Sequence, residues 1–410
     1  AWPPPADRKP LDAAYAGAMR EVHRDHPGDA DIGALFAEAL MDLRPWDLWT
    51  EEGAPQPGTG EILATLEGIM TRHPDHPLAN HLYIHAVEAS PHPEKADGAA
   101  DRLRDLAPGL GHLVHMPSHI DVLRGRWEAA ILANAKAEEA DRRYRTLSPR
   151  QDFYRVYMAH NHHMLAFAAM MTGRSGDAVR AIRTMVEEMP EEWVRESAAF
   201  ADGFVGAPFE VLMRFGRWDE ILAEPEPPAH LPIARALRLY ARGVARTARN
   251  KIPGARAEQA SFRAAAAAMP EGAFFGNNAA RDLLGVAENL LEGEILAREG
   301  SIDDAIAALR EAVRREDALR YNEPPDWIQP VRHALGAVLL KSGRFTEAET
   351  IYRDDLKRRP ENGWSLFGLA RSLRLQKKDG EAAAVETRFQ AIWSKSDVTL
   401  NSSCYCQPGV

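Results

Sequence analysis

The chain has 410 residues, of which 45% are hydrophobic and 27% are charged, and its formal net charge is -10. This composition is typical of a folded protein and excludes an intrinsically disordered chain. The acidic balance argues against a nucleic-acid partner, which would require a basic surface. Because the sequence contains no apolar run of 18 or more residues, no segment is predicted to span a membrane.

Helical periodicity dominates the sequence. Runs rich in Ala, Leu, Arg and Glu carry apolar residues at i, i+3, i+4 and i+7, and the alternation typical of strands is absent. Proline-containing breakers separate these runs and predict turns. We predict an N-terminal helical segment with a Trp/Pro-rich loop, His-rich repeats, further repeats and a flexible Cys-containing tail, over residues 1–60, 61–190, 191–395 and 396–410.

The two ends of the chain leave several alternatives open. The sequence begins with Ala1 and shows no leader, so either a signal or pro-segment has been removed or the chain is a fragment. Both a cytoplasmic and a periplasmic location are compatible with this start. Cys404 and Cys406 are two residues apart, and the strain of such a ring argues against a disulfide between them. As thiolates they could bind a soft metal, or they could belong to a free end.

Internal repetition identifies the fold. Leu335-Gly336, the turn at Gly343 and the following Glu347-Ala348 are followed one period later by Leu369, Glu381 and Ala382. Such a spacing, about 34 residues, is the period of a helical-hairpin repeat. The same Gly-x-x-x-x-Ala turn begins at Gly125, Gly173 and Gly300, and a degenerate copy begins at Gly216.

These motifs resemble the tetratricopeptide repeat family over roughly residues 61 to 395. The resemblance implies an all-α, right-handed α-solenoid of helical hairpins. It also implies that the first helix of each hairpin lines a concave groove. The small residues at the turns are expected because they let the two helices of a hairpin approach closely.

Histidine is concentrated in one part of the chain. Eleven of the fifteen histidines fall between His73 and His163. Residues three and four apart share a helix face, so His81, His85 and Glu88 are predicted to point in the same direction. His115 and His119 are spaced in the same way, although Pro117 must bend or restart the helix between them.

The repeat register aligns these histidines. His81 and His85 precede His115 and His119 by one repeat period. Aligning the turn at Gly125 with the turn at Gly173 places His112 and His115 on His160 and His163. The tetratricopeptide resemblance assigns these positions to the ligand-facing groove. The candidate site therefore consists of the following eight residues: His81, His85, Glu88, His112, His115, His119, His160 and His163.

This site has two interpretations, which assign the chain to different functional classes of protein. Converging imidazoles and a carboxylate are ordinary ligands for transition-metal ions, here copper, zinc or iron. The site could bind two ions, or one ion surrounded by outer-shell histidines. Glu88 could be a metal ligand or a general base. The sequence does not decide whether the site is catalytic. Haem held by two histidines is less favoured, and no Cys-x-x-Cys-His motif for covalent haem is present. The alternative is a metal-free scaffold that grips a peptide or protein partner in the groove.

Other polar and aromatic residues receive simpler interpretations. The turn histidines His73, His76 and His92 are predicted to be solvated, and His333 to contact a ligand peptide or nothing. The tryptophans of the early loop, Trp46 and Trp49, are expected to pack the loop down, although the loop could act as a lid. Outer-shell partners are expected among six residues close in sequence to the cluster: Asn80, Tyr83, Tyr154, Tyr157, Asn161 and His162.

Two segments carry a closer resemblance. His-Leu-Tyr-Ile-His-Ala-Val-Glu at residues 81–88 and His-Met-Pro-Ser-His-Ile at 115–120 resemble segments of uncharacterised bacterial tetratricopeptide proteins. Members of that group have additional helical sequence before the region of Trp2. The resemblance implies that the first repeats are missing here, and it implies no particular reaction.

Overall fold

A computed structural model describes residues 7–407 of the chain. The parts of the predicted N-terminal segment and C-terminal tail at residues 1–6 and 408–410, including Trp2, lie outside this range. The helices are α1 (Lys9–Asp25), α2 (Ala30–Met41), α3 (Thr59–Arg72), α4 (Pro77–Glu88), α5 (Asp97–Leu106), α6 (Gly111–His115), α7 (Pro117–Leu123), α8 (Trp127–Leu147), α9 (Tyr154–Met171), α10 (Ser175–Glu187), α11 (Glu191–Glu196), α12 (Ala198–Arg214), α13 (Trp218–Ala223), α14 (Pro232–Ala248), α15 (Ile252–Ala267), α16 (Ala280–Glu299), α17 (Ile302–Asp317), α18 (Val331–Lys341), α19 (Phe345–Arg358), α20 (Gly363–Leu375) and α21 (Asp379–Ile392).

The remaining regular structure is small. Two short 3₁₀ helices cover Pro93–Ala96 and Trp393–Lys395, and the antiparallel strands β1 (Phe274–Phe275) and β2 (Asn278–Ala279) form a minimal hairpin. The predicted all-α class is confirmed. Among residues 7–407, no helix has both the length and the apolar character needed to cross a membrane.

The chain divides into two compact units. The first contains the residues up to Arg124 together with Leu132–Arg150, and the second contains Gly125–Ile131 together with the residues from Gln151 onward. The predicted segment 61–190 is therefore shared between both units, and the compact units do not follow the predicted boundaries.

The turns between helices confirm the hairpin prediction. Gly125, Gly173, Gly300 and Gly343 have φ values of 69°, 72°, 89° and 79°, in the left-handed region that glycine adopts without steric cost. Lys377 lies one repeat period after Gly343 and has a φ of 61°, so the turn geometry repeats as predicted even where the glycine is absent.

Helices of the second unit stack in sequence order. Helix α16 packs against its partner α17 and also against α14 and α18, which is the pattern of adjoining helical hairpins. Gly336 in α18 shows why small residues recur, because a Cβ atom at this position would collide with the ring of Tyr352 in α19. Gly336 lies within a helix, whereas a Cβ atom at the turn glycines Gly300 and Gly343 would have no neighbour within 4 Å, so the close approach predicted at the turns is found inside the helix instead.

The core of the first unit lies between α2, α3, α4 and α5. Leu66, Ile84 and Leu103 come from successive helices and are fully buried in one apolar cluster. Ile84 and Val87, which lie three residues apart on one face of α4, are both buried. Met116 is also buried in this cluster, so it packs in the core beside the histidines.

The predicted flexible tail is wrong for residues 396–407. Ser403 is buried, and its hydroxyl lies 2.7 Å from the Tyr352 hydroxyl and donates to the His333 carbonyl at 2.8 Å. Gln407 donates to Glu294 of α16 at 2.5 Å. These contacts attach the segment to α16, α18 and α19. The polar side chains that suggested a free end are hydrogen-bonded in the interior.

Two further sequence predictions are corrected in this region. Cys404 and Cys406 form a disulfide, and their Cα atoms are 5.2 Å apart, within the range that a disulfide needs. His333 does not face a ligand. It is fully buried, with Nε2 3.0 Å from Asp355 Oδ2 and Nδ1 2.7 Å from an Arg214 nitrogen, so it belongs to an interior polar network.

Candidate metal centre

Helix α4 carries three of the candidate residues, His81, His85 and Glu88, and hydrogen bonds fix its N-terminus. His76 is its N-cap, and its Nδ1 accepts a hydrogen bond from the Ala79 amide at 3.1 Å. Its Nε2 lies 3.0 Å from Asp31, so His76 is not the solvated turn residue that was predicted. Pro77 suits the first helical position because it lacks the amide hydrogen that would remain unbonded there.

The other candidate residues of the first unit come from α6 and α7. The helix stops after His115 and restarts at Pro117, as the sequence predicted. Arg104 of α5 fixes α7 through two hydrogen bonds to the buried Asp121, of 2.8 and 2.6 Å. This pair orients the helix that carries His119.

Three imidazoles form one side of the cluster. The Nε2 atoms of His81 and His112 are 3.2 Å apart, and ligand atoms of His81, His85 and His112 all lie within 4.8 Å of one another. Burial and the neighbouring imidazoles lower the pKa of His81 well below 6.5 and that of His112 to about 3. Both rings are therefore neutral at pH 7 and keep a nitrogen lone pair.

Glu88 connects this group to a second pair of histidines. Its two carboxylate oxygens accept hydrogen bonds from His85 Nδ1 at 2.8 Å and from His119 Nδ1 at 2.6 Å. Burial alone raises the pKa of Glu88, but the charges and hydrogen bonds of His119 and His85 lower it to about 2. Glu88 is therefore an ionised carboxylate whose two oxygens each hold one imidazole.

His115 and His119 face each other at the buried end of the cluster. Their Nε2 atoms are 2.7 Å apart, and both side chains are at most 1% exposed. His115 Nδ1 lies 2.6 Å from Oδ1 of Asn134, an oxygen that can only accept a hydrogen bond. When both rings are neutral and both Nδ1 atoms donate to these oxygens, the two Nε2 atoms present lone pairs to each other, and a shared proton or metal ion relieves the repulsion.

The spacing of these nitrogens fits a shared ion. Zinc–imidazole bonds are about 2.0–2.1 Å long, so two nitrogens on one tetrahedral ion lie about 3.3 Å apart. The 3.2 Å separation of His81 and His112 agrees with this value, and the His115–His119 pair would open slightly. Glu88 supplies the carboxylate–imidazole contact that commonly orients a metal-binding histidine.

The early loop covers part of the cluster. Trp49 donates from Nε1 to the Ala86 carbonyl at 2.8 Å and so holds the loop against α4, as expected. The Trp46 ring meets the His85 ring edge-on, with centroids 5.5 Å apart, while 46% of Trp46 remains exposed. One tryptophan therefore anchors the loop and the other lies over the most exposed edge of the site.

The other two candidate residues belong to the second unit. His160 and His163 lie on α9, where His160 is partly buried and His163 is buried. The ring of His163 contacts those of Phe204 and Phe275, with centroids 5.8 and 5.9 Å away. Burial in this aromatic environment lowers the pKa of His163 to about 4.

Sequence reasoning missed Asn134 as a partner of the cluster, whereas Trp46 lies where the lid alternative for the early loop would place it. Asn80 and Tyr83, which were expected to surround it, instead bond elsewhere: Asn80 caps the turn before α4 through the Pro74 carbonyl, and Tyr83 donates to Glu67. The sequence does contain a signal for Asn134, because it is a polar residue within an Ala-rich helical run. The structure shows that this position is buried.

Comparison with known proteins adds no functional assignment. No protein-family model matches the chain, and no curated protein matches it. A solved structure of Naa15/Naa10 bound to HypK-THB is 12% identical over 93% of this chain, with a TM-score of 0.33, and the chain spans 61% of that protein's length. A human IFIT1 dimer with m7Gppp-AAAA is 10% identical over 93% of this chain and 77% of that one, with a TM-score of 0.37. Similarity at this level supports no inference, so the fold assignment rests on the helices of this chain.

Proposed function

We propose that the first unit is a transition-metal-binding domain built on helical hairpins. The observation that carries the proposal is the pair of Nε2 atoms of His115 and His119, 2.7 Å apart with both Nδ1 atoms facing oxygens. Two neutral imidazoles in this arrangement repel each other, and a bound cation makes the arrangement favourable. The proposed ligand set is taken from the first unit and omits His160 and His163.

Two ions account best for the number of donors. His81, His85 and His112 would hold one ion, and three imidazoles leave a fourth position for water or a small ligand. His115 and His119 would hold the other. Glu88 has both oxygens engaged with His85 and His119, so in this proposal it orients ligands and does not act as a general base.

The metal-free peptide scaffold is less well supported. A residue that binds a peptide must be accessible to it, but only 0% of His115 and 1% of His119 is exposed. Tightly packed imidazoles in the interior also offer little to a partner surface. A protein partner remains compatible with the helical hairpins elsewhere in the chain, independently of the cluster.

Elemental analysis of the purified protein tests the proposal. We expect one to two equivalents of zinc, copper or iron per chain, and a visible spectrum separates copper and iron from zinc. The measurement is made on protein with its cysteines oxidised, so that thiolates do not contribute. Protein that contains less than 0.1 equivalent of these metals, and that takes none up from solution after chelator treatment, would disprove the proposal.

A further inference from the structure

A second group of metal-ligating residues lies in the second unit. Glu294 of α16, Cys404 and Cys406 are all buried, and one ligand atom from each lies within 4.8 Å of the others. Thiolate sulfur and carboxylate oxygen are both ordinary ligands of zinc-like ions. This group shares no residue with the histidine cluster.

Glu294 supplies an independent indication of a ligand. Its side chain is fully buried, and its Oε1 has no hydrogen-bond partner among the described residues. Its other oxygen accepts from Gln407 at 2.5 Å, which holds the carboxylate in place. Burying a carboxylate oxygen without a partner is costly, and a coordinated cation would remove that cost.

The backbone around the cysteines is held by two arginines, the buried Arg214 and the partly buried Arg298. Arg214 donates to the Ser403 carbonyl at 2.8 Å, and Arg298 donates to the Cys406 carbonyl at 3.1 Å. These bonds hold the residues on both sides of Cys404, whose Cα atom lies 5.2 Å from that of Cys406. Two sulfur atoms on such a short, anchored segment are placed to act together on one ion.

We propose that the reduced Cys404 and Cys406, together with Glu294, form a binding site for a zinc-like divalent cation. The disulfide is the oxidised form of this site, which is not expected to bind the cation. A dithiol or phosphine reductant breaks the S–S bond by supplying two electrons and is itself oxidised to a disulfide or phosphine oxide. The two thiols that result each lose one proton to solvent when the cation binds.

The surrounding charges suit a divalent ion. Two thiolates and one carboxylate carry three negative charges, so a divalent cation leaves one. Arg298, which donates to the Cys406 carbonyl at 3.1 Å, places a positive charge beside the site.

Cadmium titration of the full-length protein tests the site, because cadmium–thiolate bonds absorb in the ultraviolet and cadmium–imidazole bonds do not. After reduction with a phosphine, we expect an absorption increase that saturates at the amplitude of two cadmium–thiolate bonds per chain and is absent from the oxidised protein. Zinc should abolish it by competition. A reduced protein that keeps its helical circular dichroism and shows no such absorption would overturn the proposal.

Substitutions assign the ligands. The Cys404→Ser/Cys406→Ser variant should lose the absorption, and Glu294→Gln should keep it with at least fivefold weaker cadmium affinity. Glu210→Gln is the matched control, since Glu210 is another buried glutamate of the second unit, and its affinity should equal that of the wild type. Equal affinities for Glu294→Gln and Glu210→Gln would overturn the assignment of Glu294.

Alkylation provides a test that needs no substitution. Cadmium should protect both cysteines of the reduced protein from iodoacetamide, as measured by mass spectrometry, and unprotected cysteines would contradict the site. The histidine cluster of the first unit can take up cadmium, but it adds no cadmium–thiolate absorption and no alkylated cysteine. Failure of this proposal and failure of the proposed function are therefore distinguishable.

Discussion

His115 and His119 face each other through their Nε2 atoms at 2.7 Å, while Asn134 and Glu88 accept hydrogen bonds from the opposite nitrogens. The partners of Nδ1 decide which nitrogen of each ring keeps its lone pair. The tautomers are therefore set by two residues that need not touch an ion.

Glu88→Gln should weaken metal binding about 10- to 100-fold, in the range typical for loss of an orienting partner. A glutamine amide places a donor against one of the two Nδ1–H groups, so either His85 or His119 loses its orientation. Competition with a chromophoric chelator measures the affinity. The matched control is Glu94→Gln, because Glu94 contacts the exposed turn residue His92. Unchanged affinity in Glu88→Gln would remove Glu88 from the site.

Substitutions at Asn134 separate orientation from packing. Asn134→Leu should lower metal affinity about tenfold, because His115 loses the oxygen that fixes its tautomer. Asn134→Asp keeps an acceptor of the same shape and should retain wild-type affinity or exceed it. Isothermal titration with zinc distinguishes the two. Equal losses in both variants would show that Asn134 serves packing alone.

Part of this site follows from local spacing, and part does not. The His85–Glu88 pair is three residues apart on one helix, and the sequence predicts it directly. The His81–His112 and Glu88–His119 contacts each span 31 residues, so they depend on how α4 packs against α6 and α7. The repeat register predicted that these helices correspond, but not the distances between their side chains.

The hairpin turns were predictable because glycine has a distinct backbone requirement there. Gly125, Gly173 and Gly343 all have the left-handed φ that their position in the motif implies. The burial of Ser403 and Gln407 was not predictable, since a segment of Asn, Ser and Gln carries no apolar periodicity. Its contacts are polar and specific, and they exist only once the helices of the second unit are assembled.

Buried His163 predicts acid sensitivity of the second unit. Its pKa is lowered from 6.5 in the unfolded chain to about 4 by burial, so the unfolded state binds more protons between these values. Its contribution to stability is present above pH 6.5 and is lost as the pH falls through about 4. We expect this loss to be roughly 3 kcal/mol.

The measurement is the free energy of unfolding, from urea titrations of the metal-free protein between pH 7 and pH 4. Over this pH range, the free energy of unfolding of the His163→Leu variant should fall by roughly 3 kcal/mol less than that of the wild type. The control is His230→Leu, at an exposed position of the same unit. Parallel pH profiles for wild type and His163→Leu would contradict the assignment.

The C-terminal segment is predicted to stabilise the second unit. Ser403→Ala should lower the free energy of unfolding by about 1–3 kcal/mol, because the buried Tyr352 hydroxyl loses a hydrogen-bond partner. Tyr352→Phe, introduced into the Ser403→Ala variant, removes the hydroxyl that has lost its partner. The double variant should therefore cost less than the sum of the single variants. Strict additivity in urea denaturation would show that the two hydroxyls are not coupled.

The central claim is that imidazoles of the first unit hold transition-metal ions, and the metal content of the His85→Ala/His119→Ala variant tests it most directly. Oxidised wild-type protein and the exposed-position control His92→Ala should contain the same one to two equivalents. The double variant should lose at least one equivalent while keeping its helical circular dichroism. A folded double variant with the metal content of the wild type would contradict the account.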